Sequence, residues 1–386
     1  MQGFLYRHSG KLNSFTFAAK MAQTDQIGNA IMPRGQAAVF MQHAIELAGR
    51  GAGTVAPNPM VGAVLVANGR IIGQGFHQQF GGPHAEIVCL DSVKAEDRLL
   101  IPQADMFVTL EPCSHFGKTA PCADRIIREK IPRVWIAARD PFPAVDGRGI
   151  EKLQQAGIWV DLGLEAEAAR LMNRRFFHFY EKKRPYIILK WAETADGFMA
   201  GTDPAHRLLI SNEFTRRLVH RWRSEEAAIM VATNTALLDQ PQLNNRYWPG
   251  SQPIRILLDR HLKVPANQPI FSGGTRTLIY NEKKDDVVDN NELVRIPFGD
   301  RDLTPLLQNL FERRVMSVLV EGGTQLLHSF LQQNYWDEAR IIRNTEMRIG
   351  HGLQAPAIVA IPPGYSEHIG NDLVSYYFNP LLQSTT

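Results

Sequence analysis

His84, Glu86, Cys113 and Cys122 are the residues whose types and spacing could do chemistry together. One imidazole and two thiolates fill three of the four tetrahedral positions around Zn²⁺. The fourth is left for water, which separates a catalytic zinc from a structural one. Bound zinc lowers the pKa of its water from about 15.7 towards ~7, making hydroxide available at neutral pH. A carrier must still take that proton and return it to a leaving group. Glu86, two residues past His84, is near enough to face the metal's water without ligating it.

His-x-Glu followed by Pro112-Cys113 and a second cysteine is the pattern of hydrolytic zinc deaminases, which act on the amino group of a nitrogen heterocycle. Here eight residues rather than two separate the cysteines, so a loop is inserted between the ligands. Each part alone is weak: His-x-Glu arises by chance, and two cysteines can be buried thiols. Their order, and their expected place at helix N-termini, which favour thiolate over thiol, make the combination specific. Cys89, in mid-helix, reads as core. His115, inside the ligand loop, reads as substrate-facing because three ligands suffice.

The 386-residue chain is long enough for two globular units, each able to bury its own core. Its net charge of +3, from 42 basic and 39 acidic residues, lacks the basic surplus of a polynucleotide binder. A small anionic substrate fits better. Three cysteines do not make a disulfide framework, and no apolar stretch reaches the ~20 residues of a membrane span. Cytoplasmic residence with no membrane partner is expected. The first ~35 residues carry Arg7, Lys11 and Lys20 with no acid before Asp25, a composition shared with transit peptides. The alternative starts Met21, Met32 and Met41 favour a disordered extension instead.

The elements that must position the four residues can be traced. An amphipathic helix is expected from about Ala37, with Met41, Ala44 and Ala48 on one face. Val61–Val66 and Arg70–Gly75 around Asn68-Gly69 predict a hairpin. A helix from His84, a strand at Met106–Leu110, a helix through Arg125 and a strand at Arg133–Ala138 complete an α/β series. The run Glu181-Lys182-Lys183-Arg184 before Pro185 marks a boundary, although such runs are commonly solvated turns. A second series follows: strand Tyr186–Trp191, helix Asn212–Arg223, and strands at Ala228–Val231, Ile254–Asp259, Thr277–Tyr280 and Met316–Val320. The last runs through Glu321-Gly322-Gly323 into a helix from Thr324, placing bare amides where a pyrophosphate could dock.

Several stretches together resemble the bifunctional deaminase–reductases of riboflavin biosynthesis. They are Ala56-Pro57-Asn58-Pro59-Met60-Val61-Gly62, Gly81-Gly82-Pro83-His84-Ala85-Glu86, Leu110–Thr119 and Pro121-Cys122-Ala123-Asp124, and later Arg148-Gly149-Ile150, Pro185–Lys190, Asn234-Thr235-Ala236, Asp239-Gln240-Pro241 and Glu321-Gly322-Gly323. The long loop between the cysteines is a feature of that family, and the likeness runs from about residue 38 to the C-terminus. It implies a cytidine-deaminase-like α/β/α domain followed by a dihydrofolate-reductase-like α/β domain. The division would be 1–36 extension, 37–182 deaminase and 183–386 reductase.

The resemblance also implies a substrate, 2,5-diamino-6-ribosylamino-4(3H)-pyrimidinone 5′-phosphate. It would lose its 2-amino group at a zinc on His84, Cys113 and Cys122, with Glu86 carrying the proton. NADPH would then reduce the ribose to a ribityl chain, with Lys190 beside the reacting sugar. Cofactor positions map onto Ala192, Leu209, Thr235 and Asp239, and onto Gly323, Thr324, Gln325, Leu326, Leu327, His328 and Ser329. Substrate positions map onto Arg207, Arg223, Leu243, Arg246 and Glu321; arginine forks suit a ribose phosphate. The segment 198–209 aligns only with a length change. Arg207 and Leu209 then stand where the family has a small polar residue and a tryptophan. Rival readings are a deaminase of another nucleoside or nucleotide with an unrelated second domain, and a non-catalytic zinc-stabilised module. A homo-oligomer is compatible with any of them.

Overall fold

The computed structural model describes residues 31–114, 120–203 and 208–380. Its first half runs α1 (Arg34–Gly49), β1 (Gly62–Ala67), β2 (Arg70–Phe76), α2 (Ala85–Asp91), β3 (Asp105–Val108), α3 (Cys122–Arg128), β4 (Arg133–Ile136), α4 (Arg148–Gln155), β5 (Trp159–Leu162), α5 (Ala166–Met172) and α6 (Arg174–Lys182). The strands form one sheet in the order β2-β1-β3-β4-β5. β1 is antiparallel to both neighbours, while β3, β4 and β5 are parallel.

Alternation along these strands explains the layers. Ala63, Leu65, Met106, Val108, Val134 and Ile136 face a core shared with α2 and α3. Val64, Val66, Phe107 and Trp135 face the opposite core, under α1, α5 and α6. A sheet buried on both faces needs strands apolar at every position, and β1 is buried at all six. The hairpin turn holds Asn68 at φ 52 and Gly69 at φ 74, both in the left-handed region that a type I′ turn demands. α1 begins at Arg34, three residues before the expected start, and Ile31 and Met32 already pack on the core. The expected boundary at residue 36 therefore falls inside a helix; residues 1–30 of the expected extension lie outside the described residues.

The second half comprises β6 (Tyr186–Glu193), β7 (Phe198–Ala200), α7 (Glu213–Glu225), β8 (Ala228–Ala232), α8 (Thr233–Asp239), β9 (Ile254–Leu258), β10 (Thr277–Asn281), β11 (Asp286–Val288), β12 (Asn291–Arg295), α9 (Thr304–Glu312), β13 (Ser317–Val320), α10 (Thr324–Gln332), β14 (Glu338–Asn344), β15 (Leu353–Gln354), β16 (Tyr365–Ile369) and β17 (Asp372–Phe378). Ten strands form a second sheet, β11-β12-β10-β9-β8-β13-β6-β14-β17-β16, parallel from β12 to β14. Ile187, Leu189 and Trp191 of β6 face the core beneath α9 and α10, whereas Ile188 faces Val219 and Trp222 of α7. β7 and β15 pair apart from this sheet.

The run Glu181–Arg184 is exposed at Glu181 and Lys183 but anchored at its last residue. Arg184 is buried and donates to both carboxylate oxygens of Asp337, at 2.7 and 2.9 Å. The chain reverses at Lys183, φ 54, between α6 and β6.

Candidate active sites: a metal triangle and a dinucleotide cleft

Three elements deliver the first site. His84 is the N-cap of α2, Cys122 opens α3, and Cys113 sits in the loop after β3. Cys113 is thus not on a helix N-terminus as expected; instead the Cys122 amide at the start of α3 donates to its sulfur at 3.3 Å. His84 Nδ1 lies 3.5 Å from Cys113 Sγ and 3.3 Å from Cys122 Sγ, and all three donor atoms lie within 4.8 Å of one another. With Zn–S about 2.3 Å and Zn–N about 2.0–2.1 Å, tetrahedral N and S donors stand about 3.6 Å apart, so the triangle fits zinc.

The electrostatics agree with the donor set. The hydrogen bond to Cys113 raises His84 to about 9. Hydrogen bonding from Cys122, then from His84, pulls the Cys113 thiol down to about 4 despite burial, whereas Cys122 is pushed up by its partner. Glu86 is buried beside the triangle, and that burial lifts its carboxyl to about 7. Cys89 is fully buried in the core of the sheet. His115 lies outside the described residues.

Two supports escaped the sequence reading. His77 packs edge-on against His84 at 5.7 Å; it donates from Nδ1 to the Pro83 carbonyl at 2.9 Å and accepts at Nε2 from Asn58, 3.0 Å away. That pair of bonds fixes one neutral tautomer, in line with burial lowering its pKa. Glu111, buried next to Pro112, accepts from the amides of Asp140, Gly147, Gly149 and Ile150 at 2.9–3.3 Å. A carboxylate at the head of α4 thereby holds the Cys113 loop in place. Only the spacing of Glu111 from Cys113 could have hinted at this; its partners are remote in sequence.

The second site lies outside the carboxyl ends of the parallel strands, where open α/β sheets bind ligands. β13 runs into Glu321, then Gly322-Gly323, joined by a cis peptide, and into α10. Arg223 of α7 donates from Nε and Nη2 to the two oxygens of Glu321, at 2.8 and 2.6 Å, and from Nη1 to the Asn244 carbonyl at 3.1 Å. Burial would raise Glu321, but Arg223 and then Lys190 and His220 hold it down to about 2. Lys190 of β6 therefore shares this cluster. His220, which the sequence reading missed, accepts from the Arg246 amide at 3.2 Å; burial and then Arg223 and Arg246 lower it to about 4.

A cleft of about 230 Å³ adjoins the first turn of α10, lined among others by Thr233, Arg260, Phe298, Arg301, Gln325 and Ser329. Thr235 approaches Gly323 closely: a Cβ there would stand 3.1 Å from its Oγ1. Asp239 is exposed at the end of α8, and Ala192 sits on β6 against α7. Two expected contacts need correction. Leu327 is 0% exposed and its amide donates to the Gly323 carbonyl, so it can touch no cofactor, whereas Leu326 lines the cleft. Leu243 is buried in the core with φ 50, which leaves only its main chain for a substrate. Leu209 is 62% exposed, and Arg207 lies outside the described residues.

A layered α/β/α sheet presenting His, Cys and Cys beside a buried glutamate defines the zinc deaminase class. The chain continues into a mostly parallel sheet of the reductase type. Residues 35–138 match the cytidine and deoxycytidylate deaminase zinc-binding region, and residues 185–345 the RibD C-terminal domain. The chain is 37% identical over 352 residues to the riboflavin biosynthesis protein RibD of Aquifex aeolicus, covering 88% of this chain and 97% of that one. It is 36% identical to RibD of Escherichia coli over 317 residues, 78% and 85% of the two chains. A solved Thermotoga maritima diaminohydroxyphosphoribosylaminopyrimidine deaminase/5-amino-6-(5-phosphoribosylamino)uracil reductase superposes with a TM-score of 0.80 at 35% identity, covering 89% and 99%. The chain belongs to the RibD family, the bifunctional zinc deaminases and NADPH-dependent reductases of riboflavin biosynthesis. No helix among the described residues is long and apolar enough to cross a membrane.

Proposed function

We propose that this chain deaminates 2,5-diamino-6-ribosylamino-4(3H)-pyrimidinone 5′-phosphate at the His84–Cys113–Cys122 centre and reduces the ribose of the product at the Lys190–Arg223–Glu321 cluster. The observation that carries the first half is the triangle of donor atoms within 4.8 Å with a buried acid beside it and outside it. Zinc, held by those three residues, supplies the Lewis acid that activates water. Glu86 accepts the water's proton and delivers it to the departing amine; a carboxyl lifted towards neutrality can do both. Asn58, oriented by its bond to His77, can offer its side-chain oxygen to the heterocycle.

At the second cluster, the paired Arg223 and Glu321 present a fixed polar wall. Arg246 lies in the adjoining loop, where it can meet the ribose phosphate. NADPH would supply hydride to the ribosyl carbon, and Lys190 would give its proton to the ring oxygen whose bond to that carbon breaks. Gly323 to Gln325 and Ser329, at and after the start of α10, would hold NADPH, with the Arg260–Arg301 cleft beside them. The division into deaminase and reductase falls at the reversal of Lys183. The enzyme works in the cytoplasm on small phosphorylated substrates without nucleic acid.

Supplying the diaminopyrimidinone phosphate with and without NADPH and following products by mass tests this reading. Deaminated product alone is expected without NADPH, and ribityl product with it. Failure to consume the compound overturns the substrate.

A further inference from the structure

Two side chains of α7 reach the same loop. Residues three apart on a helix share a face, and His220 and Arg223 both hold the chain that follows α8. Arg223 donates to the Asn244 carbonyl at 3.1 Å, and His220 Nδ1 accepts from the Arg246 amide at 3.2 Å. Tyr247, the next residue, closes edge-on against the His220 ring, 4.7 Å between centroids. The loop is also fixed just before this point. Leu243 is buried in the core, the Asn245 amide donates to Gln252 Oε1 at 2.7 Å, and Gln252 Nε2 donates to the Asn245 carbonyl at 2.6 Å. From Arg246 to Gly250, the bond to His220 is the only hydrogen bond that the backbone makes among the described residues.

Arg246 itself is exposed and so open to a ligand. Its Nη1 donates to Asn244 Oδ1 at 2.8 Å, and its guanidinium stands 4.9 Å over the Tyr247 ring. Both contacts hold the side chain relative to its own loop. What sets the Arg246 backbone relative to the Arg223–Glu321 cluster is the buried ring of His220. An imidazole accepts from an amide only through an unprotonated nitrogen. Burial, then Arg223 and Arg246, lower the His220 pKa to about 4, so at pH 7 the ring is neutral and Nδ1 can accept. We propose that His220 is a positioning residue for phosphate recognition, its Nδ1 pinning the Arg246 amide so that the Arg246 guanidinium meets the ribose phosphate of the reductase substrate.

This role rests on the reading that the substrate's phosphate lies at Arg246. An arginine fork binds phosphate well only where its donors face two oxygens at once. A loop unpinned beyond Asn245 would hold the same charge in many places, and ordering it would cost conformational entropy at each binding event. Pinning the amide removes that cost before the substrate arrives. A histidine that only filled space beside α7 would leave the preference for a phosphorylated substrate unchanged. A positioning histidine carries part of that preference.

The test follows NADPH oxidation by the full-length, zinc-loaded protein on the deaminated ribosylamino compound, with and without its 5′-phosphate. His220→Phe keeps a ring for Tyr247 and removes the acceptor. His220→Asn restores an acceptor, because the amide oxygen can stand near the place of Nδ1. His220→Phe is expected to raise KM for the phosphorylated compound roughly tenfold with kcat little changed, as lost uniform binding does. Its kcat/KM on the dephosphorylated compound should stay at the wild-type value, and His220→Asn should recover most of the lost affinity. If His220→Phe fails to fold, His220→Ala, which adds no bulk, carries the same comparison. No rise in KM, or equal losses on both compounds, overturns the inference and leaves the reductase reading standing. A His220→Asn variant as impaired as His220→Phe assigns the effect to the ring's packing and overturns the Nδ1 contact. Wild type that reduces neither compound, or that shows no preference for the phosphorylated one, overturns the placement of the phosphate and the inference with it.

Discussion

Zinc uptake at His84, Cys113 and Cys122 is also proton release. Without metal, His84 is protonated up to about 9 beside a Cys113 thiolate, and Cys122 holds its proton because its neighbour has lost one. Zinc needs a neutral imidazole and two thiolates. Binding at pH 7 should therefore expel on the order of two protons, and zinc affinity should climb as pH rises towards 9. A pH indicator in weak buffer reads this directly; an affinity flat from pH 6 to 9 would place the protons elsewhere. Purified protein should carry about one zinc, and Cys113→Ser or Cys122→Ser should lose most of it by metal analysis. Glu86→Gln should keep the metal and lose deamination by roughly 10²–10⁴-fold, the usual scale for an acid–base group. Near-normal turnover there would mean that another group moves the proton.

What an element contributes is clearest at α4. Gly149, in its first turn, has its Cα pressed on the Cys113 loop, and a Cβ would fall 2.0 Å from the Pro112 carbonyl. Gly149→Ala must push that carbonyl away, and Glu111→Ala would strip four amides of their acceptor. An unsatisfied buried donor costs about 1–3 kcal/mol, so either change should lower both Tm and zinc content. Full zinc content in Gly149→Ala would show that the loop is not held by this contact. The same region explains what the sequence could and could not tell. The strands around His84 and Cys113 were legible because a sheet buried on both faces writes unbroken apolar runs, and Asn68-Gly69 announces its own turn. Glu111 was not, because its partners lie about thirty to forty residues away and only the tertiary fold brings them in. Leu327 and Leu243 were misjudged for the opposite reason. A motif transfers positions, whereas helix phase and a left-handed φ decide which way a side chain points.

At the scale of the whole chain, the two halves are tied together by buried contacts. α6 follows the deaminase sheet, yet Arg174 pairs with Glu338 at 3.0 Å and Arg175 pairs with Glu226, both in the second half. Arg340 joins the pair, donating to Glu338 at 2.7 Å and standing 4.9 Å over Trp222. Phe179 of the same helix packs on Phe311 at 4.7 Å. Burial would raise Glu338, but Arg340, Arg174 and Arg175 hold it at about 2. A carboxylate depressed on folding stabilises the native state above its unfolded pKa of about 4.5, and loses that contribution as pH falls towards 2. Stability should thus decline between about pH 4.5 and 2. Glu226→Ala, which strips Arg175 of its carboxylate, should cost about 3–5 kcal/mol and lower the Tm of both activities together. Chemistry should divide where structure does not. Glu86→Gln should block NADPH oxidation when the diamino compound is supplied and leave it intact on the deaminated one. Lys190→Met should accumulate deaminated, unreduced product while still binding NADPH. If Glu86→Gln also failed on the deaminated compound while folded, the buried network would be transmitting more than stability, and the two sites would have to be one coupled device.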